Sequence, residues 1–197
     1  PPSTGNGTTE RDQHLGPRAL RNVSAMARRV HMDFQIDPWE TCRITDMGDV
    51  PFPEANDNER CIERITDFYR TIDQSLTRPV SVGGDHSVTG GIIQAIAGEH
   101  ALLTGGRKAA FLHFDAHTDA YEKVPHFLGA IKSAAHWASF LVRQEQIDAN
   151  SSVQIGIRGN PRTLDWLAPS TELGYEVITM ERYRSLGVSE TIKIILD

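Results

Sequence analysis

Residues 112–121 read LHFDAHTDAY, and they join an apolar run to three side chains that can bind a metal ion. Asp115, His117 and Asp119 follow at every second position, directly after a strand that we predict over residues 109–114. Residues two apart in an extended chain point to the same side, so these side chains can converge if the extended conformation continues. Open α/β sheets place their sites at the carboxyl ends of strands, and this is such an end.

Metal binding competes here with a simpler interpretation, in which Asp and Thr residues end a strand and cap a turn. Carboxylate and imidazole together suit a borderline divalent ion such as manganese, nickel, iron or zinc. Two carboxylates beside one histidine supply more donor atoms than one ion needs, which favours a pair of ions bridged by carboxylate.

A second strand end supplies another histidine. A short strand predicted over residues 79–82 runs into Gly83, Gly84, Asp85 and His86, and the two glycines let the backbone approach closely there. Alone, His86 is more simply a structural histidine. In a doubly wound sheet, however, the two strand ends can be neighbours, and we therefore predict that His86 joins the metal site. Asp85 either orients a ligand or caps the turn.

The order of predicted elements indicates the fold class. Strands and helices alternate, which is typical of βαβ units and a parallel sheet covered on both faces. We predict an α/β fold, a three-layer doubly wound and mostly parallel sheet, in one domain over residues 1–197. Helices are predicted from Gly16 and over 58–76, 87–97 and 133–145, and strands over 42–47, 79–82, 109–114, 153–157 and 176–180.

Composition excludes several classes of protein. Apolar residues make up 39% and charged residues 23% of the 197 residues, which is typical of a globular chain rather than a disordered one. The formal net charge of −6 and the lack of a basic stripe argue against a nucleic-acid partner. No apolar run reaches the roughly 18 residues of a membrane span. Cys42 and Cys61 form no disulfide framework or zinc ribbon, so we expect a reducing, cytoplasmic location.

Two motifs in this order resemble the ureohydrolase family, which includes arginases, agmatinases and guanidinobutyrases. They are GGDHS at residues 83–87 and DAHTD at 115–119. Residues 14–21 resemble the early Gly-Pro-Arg-Ala-Ile-Arg segment of that family, and His136 resembles the histidine that follows its DAHxD loop. Residues 154–159, QIGIRG, resemble a core strand of agmatinases, so the likeness is to the agmatinase-like branch rather than to arginases.

The resemblance implies a binuclear metal site, usually with Mn²⁺ and with Ni²⁺ as the alternative. His86 and Asp119 would bind one ion and His117 the other, and Asp115 would bridge the two. Two such ions lower the pKa of a bound water toward about 7, so that it can attack a guanidinium carbon. The reaction implied is hydrolysis of a guanidino compound to urea and an amine or ammonia.

A histidine near the site can carry the proton to the leaving amine. By the resemblance we assign this role to His136, with His126 as the alternative. The partner implied is a small guanidino substrate. Family members are commonly oligomers, so we also expect a homo-oligomer, and we expect neither a membrane nor a nucleic-acid partner.

The chain departs from the family pattern in three places. The third family motif, Ser-x-Asp-x-Asp-x-x-Asp-Pro, is not found, and the family's first strand is missing ahead of Pro1, so we expect a segment that lacks the first strand and the C-terminal third. The loop over residues 122–135, EKVPHFLGAIKSAA, lacks the pattern with which arginases hold free arginine. Trp137 stands where glycine is common, and it either fills the pocket and favours a small substrate, even guanidinium, or packs within its helix.

Two other functions remain open. Metallophosphoesterases also place Asp-x-His at a strand end, but their further motifs follow it, whereas Gly-Gly-Asp-His precedes it here. A non-catalytic ureohydrolase-like fragment is the other alternative, and the missing third motif is the observation that favours it.

Overall fold

The structure, a computed structural model, describes residues 13–25, 28–53, 57–122, 132–161 and 163–197. None of the helices in these parts is both long enough and apolar enough to cross a membrane. The regular elements, in chain order, are α1 (Gly16–Ser24), α2 (Pro38–Thr41), α3 (Asn58–Gln74), α4 (Ser87–Ile96), β1 (Leu112–Phe114), α5 (Trp137–Arg143), β2 (Val153–Ile157), α6 (Ala168–Thr171), β3 (Glu176–Thr179) and α7 (Met180–Leu196).

The three strands form a parallel sheet in the order β1-β2-β3. Leu112 pairs with Val153, and Val153 pairs with Glu176, so all three strands begin at one edge and end at the other. Parallel neighbours need a crossover connection, and α5 and α6 lie in these two connections. The carboxyl ends of the strands therefore share one edge, which is where the DAHTD segment begins.

Apolar side chains cover both faces of this sheet. On one face, Trp137 and Leu141 of α5 pack with Ile157 and Val177. On the other face, Val153, Ile155 and Ile178 pack against the α7 side chains Tyr183, Leu186, Ile194 and Ile195. Burying each Leu or Ile stabilises the fold by roughly 1.5–3 kcal/mol. The two clusters define helix, sheet and helix layers and confirm the predicted α/β class.

Gly156 shapes the end of β2 beside the DAHTD segment. The pairing of β2 with β3 shifts between Ile155 and Ile157, and Gly156 adopts a φ of +92° at that irregularity. A Cβ atom at this position would lie 3.2 Å from the backbone carbonyl oxygen of Asp115. Glycine is therefore required both by the left-handed backbone and by the close approach of the two chains.

Helix α1 contacts the GGDH segment and the loop that contains Asp46 and Asp49. A Cβ atom on Gly16 would lie 3.2 Å from the carbonyl oxygen of Gly83, so the helix begins in direct contact with the GGDH segment. Arg21 donates two hydrogen bonds to Asp46 and one to Asp49. The Arg21 guanidinium and the Gly48 N–H lower the pKa of Asp46 to about 2. These hydrogen bonds from Arg21 fix the loop around Asp46 and Asp49, which pairs with no strand among the described residues.

Several predicted boundaries differ from the observed ones. Residues 42–47 and 79–82 are described as irregular rather than as strands, because neither segment pairs with another described strand. Backbone pairing, and not side-chain pattern alone, defines a strand. Helix α5 begins at Trp137 instead of residue 133, since the preceding residues form a turn. Helix α1 begins at Gly16 as predicted, and α3, α4, β1, β2 and β3 lie within three residues of their predicted bounds. No bounds were predicted for α2, α6 and α7.

Candidate metal centre

Four side chains that can bind a metal ion meet at the carboxyl edge of the sheet. They are His86, His113, Asp115 and Asp119, and one ligand atom from each lies within 4.8 Å of all the others. His86 comes from the GGDH loop before α4, while the other three come from β1 and the loop that follows it. The structure thus brings three of the four predicted ligands together and adds a histidine that was not predicted.

His86 lies between the two carboxylates. Its Nδ1 is 2.6 Å from Oδ2 of Asp119 and 3.2 Å from Oδ2 of Asp115. Burial lowers the pKa of His86, but hydrogen bonding to Asp115 and Asp119 outweighs it and raises the pKa to about 9. Burial alone would raise the pKa of Asp115, yet the neighbouring ring nitrogens of His113 and His86 hold that pKa well below its usual range. The pair of carboxylates therefore attracts positive charge.

Asp115 presents its two oxygens to different partners. Oδ2 faces His86 and His113, whereas Oδ1 accepts the backbone N–H of His117 at 2.9 Å. The ring Nδ1 of His117 lies 3.5 Å from the same Oδ1, and this side chain is 67% exposed. His117 therefore lies beside Asp115 but outside the four-residue cluster. One carboxylate between two sets of nitrogens is the arrangement that a bridging ligand needs, although these ligand roles stay predictions.

The segment after β1 is a turn and not a continued strand. Asp115 accepts the N–H of His117, and Asp119 adopts a φ of +50°, a left-handed conformation that Asp tolerates better than most residues. The expected alternation of side chains is therefore wrong beyond Phe114. The turn brings Asp119 back toward His86 and directs His117 outward, so the two carboxylates converge by a different route.

Trp137 connects the core to one of these carboxylates. Its indole Nε1 donates to Oδ2 of Asp119 at 3.0 Å, and the side chain is 1% exposed. Its ring centroid lies 4.8 Å from that of His86. Trp137 packs in the core next to the cluster, which agrees with the predicted alternative in which it packs within its helix. It also orients Asp119, which the sequence alone did not suggest.

Of the two histidines predicted to carry the proton, the structure describes only His136. His136 is buried, directly precedes α5, and has Nδ1 2.5 Å from the Ser133 hydroxyl. His126 lies outside the described residues. Asp85 caps the turn before α4, because its Oδ1 accepts the backbone N–H and the hydroxyl hydrogen of Ser87. This contact is the turn-capping alternative that the sequence left open for Asp85.

His113 is the member of the cluster that sequence reasoning missed. It is 3% exposed and lies two residues before Asp115, within β1. The period-two rule that grouped Asp115 with the residues after it applies equally to the residue two positions before it. That rule could have identified His113 as a neighbour of the site.

The residues present fit a divalent cation. His86 supplies an imidazole, and Asp115 and Asp119 supply two carboxylates, which together form the mixed nitrogen and oxygen set that suits Mn²⁺, Ni²⁺, Fe²⁺ or Zn²⁺. The two carboxylates raise the pKa of His86 to about 9, which indicates that this position favours a positive charge. The donor chemistry and the local electrostatics therefore agree.

The family is established by comparison with known proteins. The family model described as "Arginase family" matches residues 1–197, so the chain belongs to the arginase family. It is 36% identical over 189 residues to guanidinopropionase of Pseudomonas aeruginosa, an alignment that covers 94% of this chain and 56% of that relative. It is 34% identical over 178 residues to the mitochondrial guanidino acid hydrolase of Homo sapiens, covering 89% of this chain and 47% of that protein.

Solved structures support the same fold. The proclavaminate amidino hydrolase of Streptomyces clavuligerus superposes with a TM-score of 0.78 at 24% identity, over 98% of this chain and 60% of that one. At this level of identity the likeness shows the fold alone. The chain spans about half the length of the curated relatives named above.

Proposed function

We propose that this chain carries the metal-binding part of an amidinohydrolase, which cleaves a guanidino compound into urea and an amine or ammonia. The observation that carries the proposal is the cluster of His86, Asp115 and Asp119 at a parallel-strand edge, in a chain of the arginase family. The relatives named as guanidinopropionase and guanidino acid hydrolase support this reaction class.

In this proposal His86, Asp115 and Asp119, together with His117, would hold two divalent ions, with Mn²⁺ preferred and Ni²⁺ as the alternative. When bound, such ions lower the pKa of water and supply the nucleophile for hydrolysis. Trp137 fixes the carboxylate of Asp119, and the turn N–H of His117 fixes that of Asp115. Both acidic groups are thus oriented before an ion binds, which reduces the ordering that binding requires.

His136 would transfer the proton to the leaving amine. The Ser133 hydroxyl contacts Nδ1 and so fixes the orientation of the ring. The next residue in the sequence, Trp137, packs against the ring of His86. His136 is therefore directly bonded to a residue that contacts the four-residue cluster. This position supports a role in proton transfer, and the turn at Ser133 supplies the rigidity that a general acid needs.

The substrate we propose is a small guanidino acid or amine, with guanidinium itself as the smallest member of the class. Two curated relatives act, by name, on guanidino acids, and free arginine is disfavoured because the loop over residues 122–135 lacks the arginase pattern. Guanidinopropionate is the first substrate to test, because the guanidinopropionase aligns over 94% of this chain.

The test is urea release by the whole protein loaded with Mn²⁺ or Ni²⁺. The panel is guanidinopropionate, guanidinobutyrate, agmatine, arginine and guanidinium, with phosphate release from a phosphomonoester measured in parallel. Urea from a member of the panel supports the proposal and identifies the substrate. Phosphate release would support the metallophosphoesterase, and metal binding without either product would support a non-catalytic member.

A further inference from the structure

We propose that His113 is a positioning residue and not a metal ligand: its Nε2–H donates to Oδ2 of Asp115, and Gln154 holds it in that tautomer. The inference rests on the metal-binding part of the proposed function. It assigns a role to a residue that lies inside the cluster yet belongs to none of the ligand motifs.

The first step is the orientation of the Gln154 amide. Gln154 is fully buried in β2, and its Nε2 lies 2.7 Å from the backbone carbonyl oxygen of Thr118. A carbonyl oxygen only accepts hydrogen bonds, so the group that faces it must be the amide NH₂. On the other side, Oε1 of Gln154 accepts the hydroxyl hydrogen of Ser170. Two independent partners therefore fix which end of the amide is nitrogen.

The second step is the tautomer of His113. Its Nδ1 lies 3.3 Å from Nε2 of Gln154. Because that amide nitrogen is a donor, Nδ1 has to be the acceptor and carries no hydrogen. A neutral imidazole has one N–H, which then lies on Nε2. An N–H on Nδ1 would place two donors against each other in a fully buried position, which is costly.

The third step is the target of the Nε2 proton. Nε2 is buried, has no hydrogen-bond partner within normal limits among the described residues, and lies 3.5 Å from Oδ2 of Asp115. A shift of about 0.5 Å brings this pair into the ordinary range for an N–H···O hydrogen bond. Asp115 is thus the acceptor that satisfies the one buried donor of His113.

Packing keeps the ring in this orientation. The ring centroid of His113 lies 5.2 Å from that of Trp137, 5.0 Å from that of His86 and 6.0 Å from that of Phe111. A metal ion binds only an unprotonated ring nitrogen. To bind through Nε2, His113 would have to move its proton to Nδ1, opposite the Gln154 amide donor. The network therefore disfavours His113 as a ligand and leaves it to orient Oδ2 of Asp115.

The test is long-range ¹H–¹⁵N NMR of the whole protein labelled at histidine nitrogens, with His113→Phe used to assign the signals. We expect a protonated Nε2 and an unprotonated Nδ1, both after chelation and after saturation with diamagnetic Zn²⁺. Loss of the Nε2 proton on Zn²⁺ binding would show that His113 is a ligand and would overturn the proposal. A hydrogen on Nδ1 in the chelated protein would overturn it as well.

Metal affinity gives a second readout that is independent of turnover. His113→Phe keeps an aromatic ring against Trp137 but removes the donor, and we expect about 10- to 100-fold weaker binding. His113→Gln retains an N–H group and should restore part of that loss. The proposal would be contradicted if both variants bound metal as tightly as the wild type, or if both lost one whole bound ion. Failure of the urea assay would leave these NMR and binding results unaffected, so the two proposals fail separately.

Discussion

Trp137 donates its indole N–H to the carboxylate of Asp119 over 3.0 Å, and so joins the centre of the hydrophobic core to the candidate metal centre. Only 1% of the Trp137 side chain is exposed, and α5, which begins at this residue, packs on the sheet. Formation of the core therefore also orients a candidate ligand. We therefore expect this hydrogen bond to couple the stability of the fold to metal affinity.

Trp137→Phe separates these two contributions. The variant keeps an aromatic ring in the core but removes the donor to Asp119, so we expect metal affinity to fall about 10- to 100-fold. Isothermal titration with Mn²⁺ measures this. Trp166→Phe is the matched control, because Trp166 packs on the same cluster and forms no described contact with the candidate ligands. An equal loss of affinity in both variants would show that packing, and not the hydrogen bond, matters.

Gly156→Ala should damage both stability and the site. The φ of +92° disfavours any Cβ, and the added methyl would press on the carbonyl of Asp115 at 3.2 Å. We expect a decrease of about 1–3 kcal/mol in the free energy of unfolding, together with weaker metal binding. Gly159 has a φ of +112°, and a Cβ atom there would meet nothing within 4 Å. Gly159→Ala should therefore show backbone strain without loss of metal. Denaturant unfolding measures the stability of the two variants, and titration measures their metal affinity. Equal metal affinity in the two variants would contradict the proposed contact.

Metal binding should release a proton below pH 9. His86 has a pKa of about 9 beside its two carboxylates, so it is protonated at pH 8 in the chelated protein. A ligand nitrogen must be unprotonated, so binding displaces that proton and the apparent affinity rises with pH up to about 9. Titration in buffers of different ionisation enthalpy measures the released protons. His86→Gln should bind more weakly and release about one proton fewer, and an unchanged proton release would argue against His86 as a ligand.

His117→Ala tests the candidate ligand that lies outside the four-residue cluster. We expect the variant to hold less metal and to release no urea, because the side of Asp115 that carries Oδ1 loses its only described ring nitrogen. Metal content by mass spectrometry checks the first outcome. His100→Ala, another exposed histidine, is the control and should behave as wild type. Full activity in His117→Ala would remove His117 from the ligand set.

His136→Ala tests proton transfer separately from metal binding. The variant should keep its metal and lose about 10²- to 10⁴-fold in turnover, the usual contribution of a general acid. Ser133→Ala should give a smaller loss, since it removes only the hydroxyl at Nδ1. Steady-state urea kinetics measure the loss of turnover, and the metal content shows whether the ions are retained. Loss of metal in His136→Ala would show that its role is structural or that it is a ligand.

The sequence predicted much of the fold because most helices and strands depend on local patterns. Helix α3 shows apolar residues at helical spacing and was predicted within two residues of its end. Residues 79–82 were predicted as a strand for the same kind of reason, but no described strand pairs with them. Pairing partners are distant in sequence, so no local pattern contains them.

The candidate site was predictable by residue type but not by geometry. The structure brings His86, Asp115 and Asp119 together as predicted from their motifs, although the chain after Phe114 is a turn with a positive φ at Asp119 and does not continue as the extended segment on which the convergence was conditional. The roles of Gln154 and Trp137 depend on contacts across 36 and 18 residues of sequence. Such contacts become visible only once the sheet and α5 are placed.

The most direct test of the proposed function is a titration of Mn²⁺ into the chelated whole protein, with bound ions and urea release from guanidinopropionate recorded together. The binuclear amidinohydrolase predicts two bound ions per chain and urea release that rises with the second ion. Two bound ions with no urea from guanidinopropionate or the rest of the panel would contradict the proposed reaction. Urea release at undiminished rate without bound metal would contradict the proposed site.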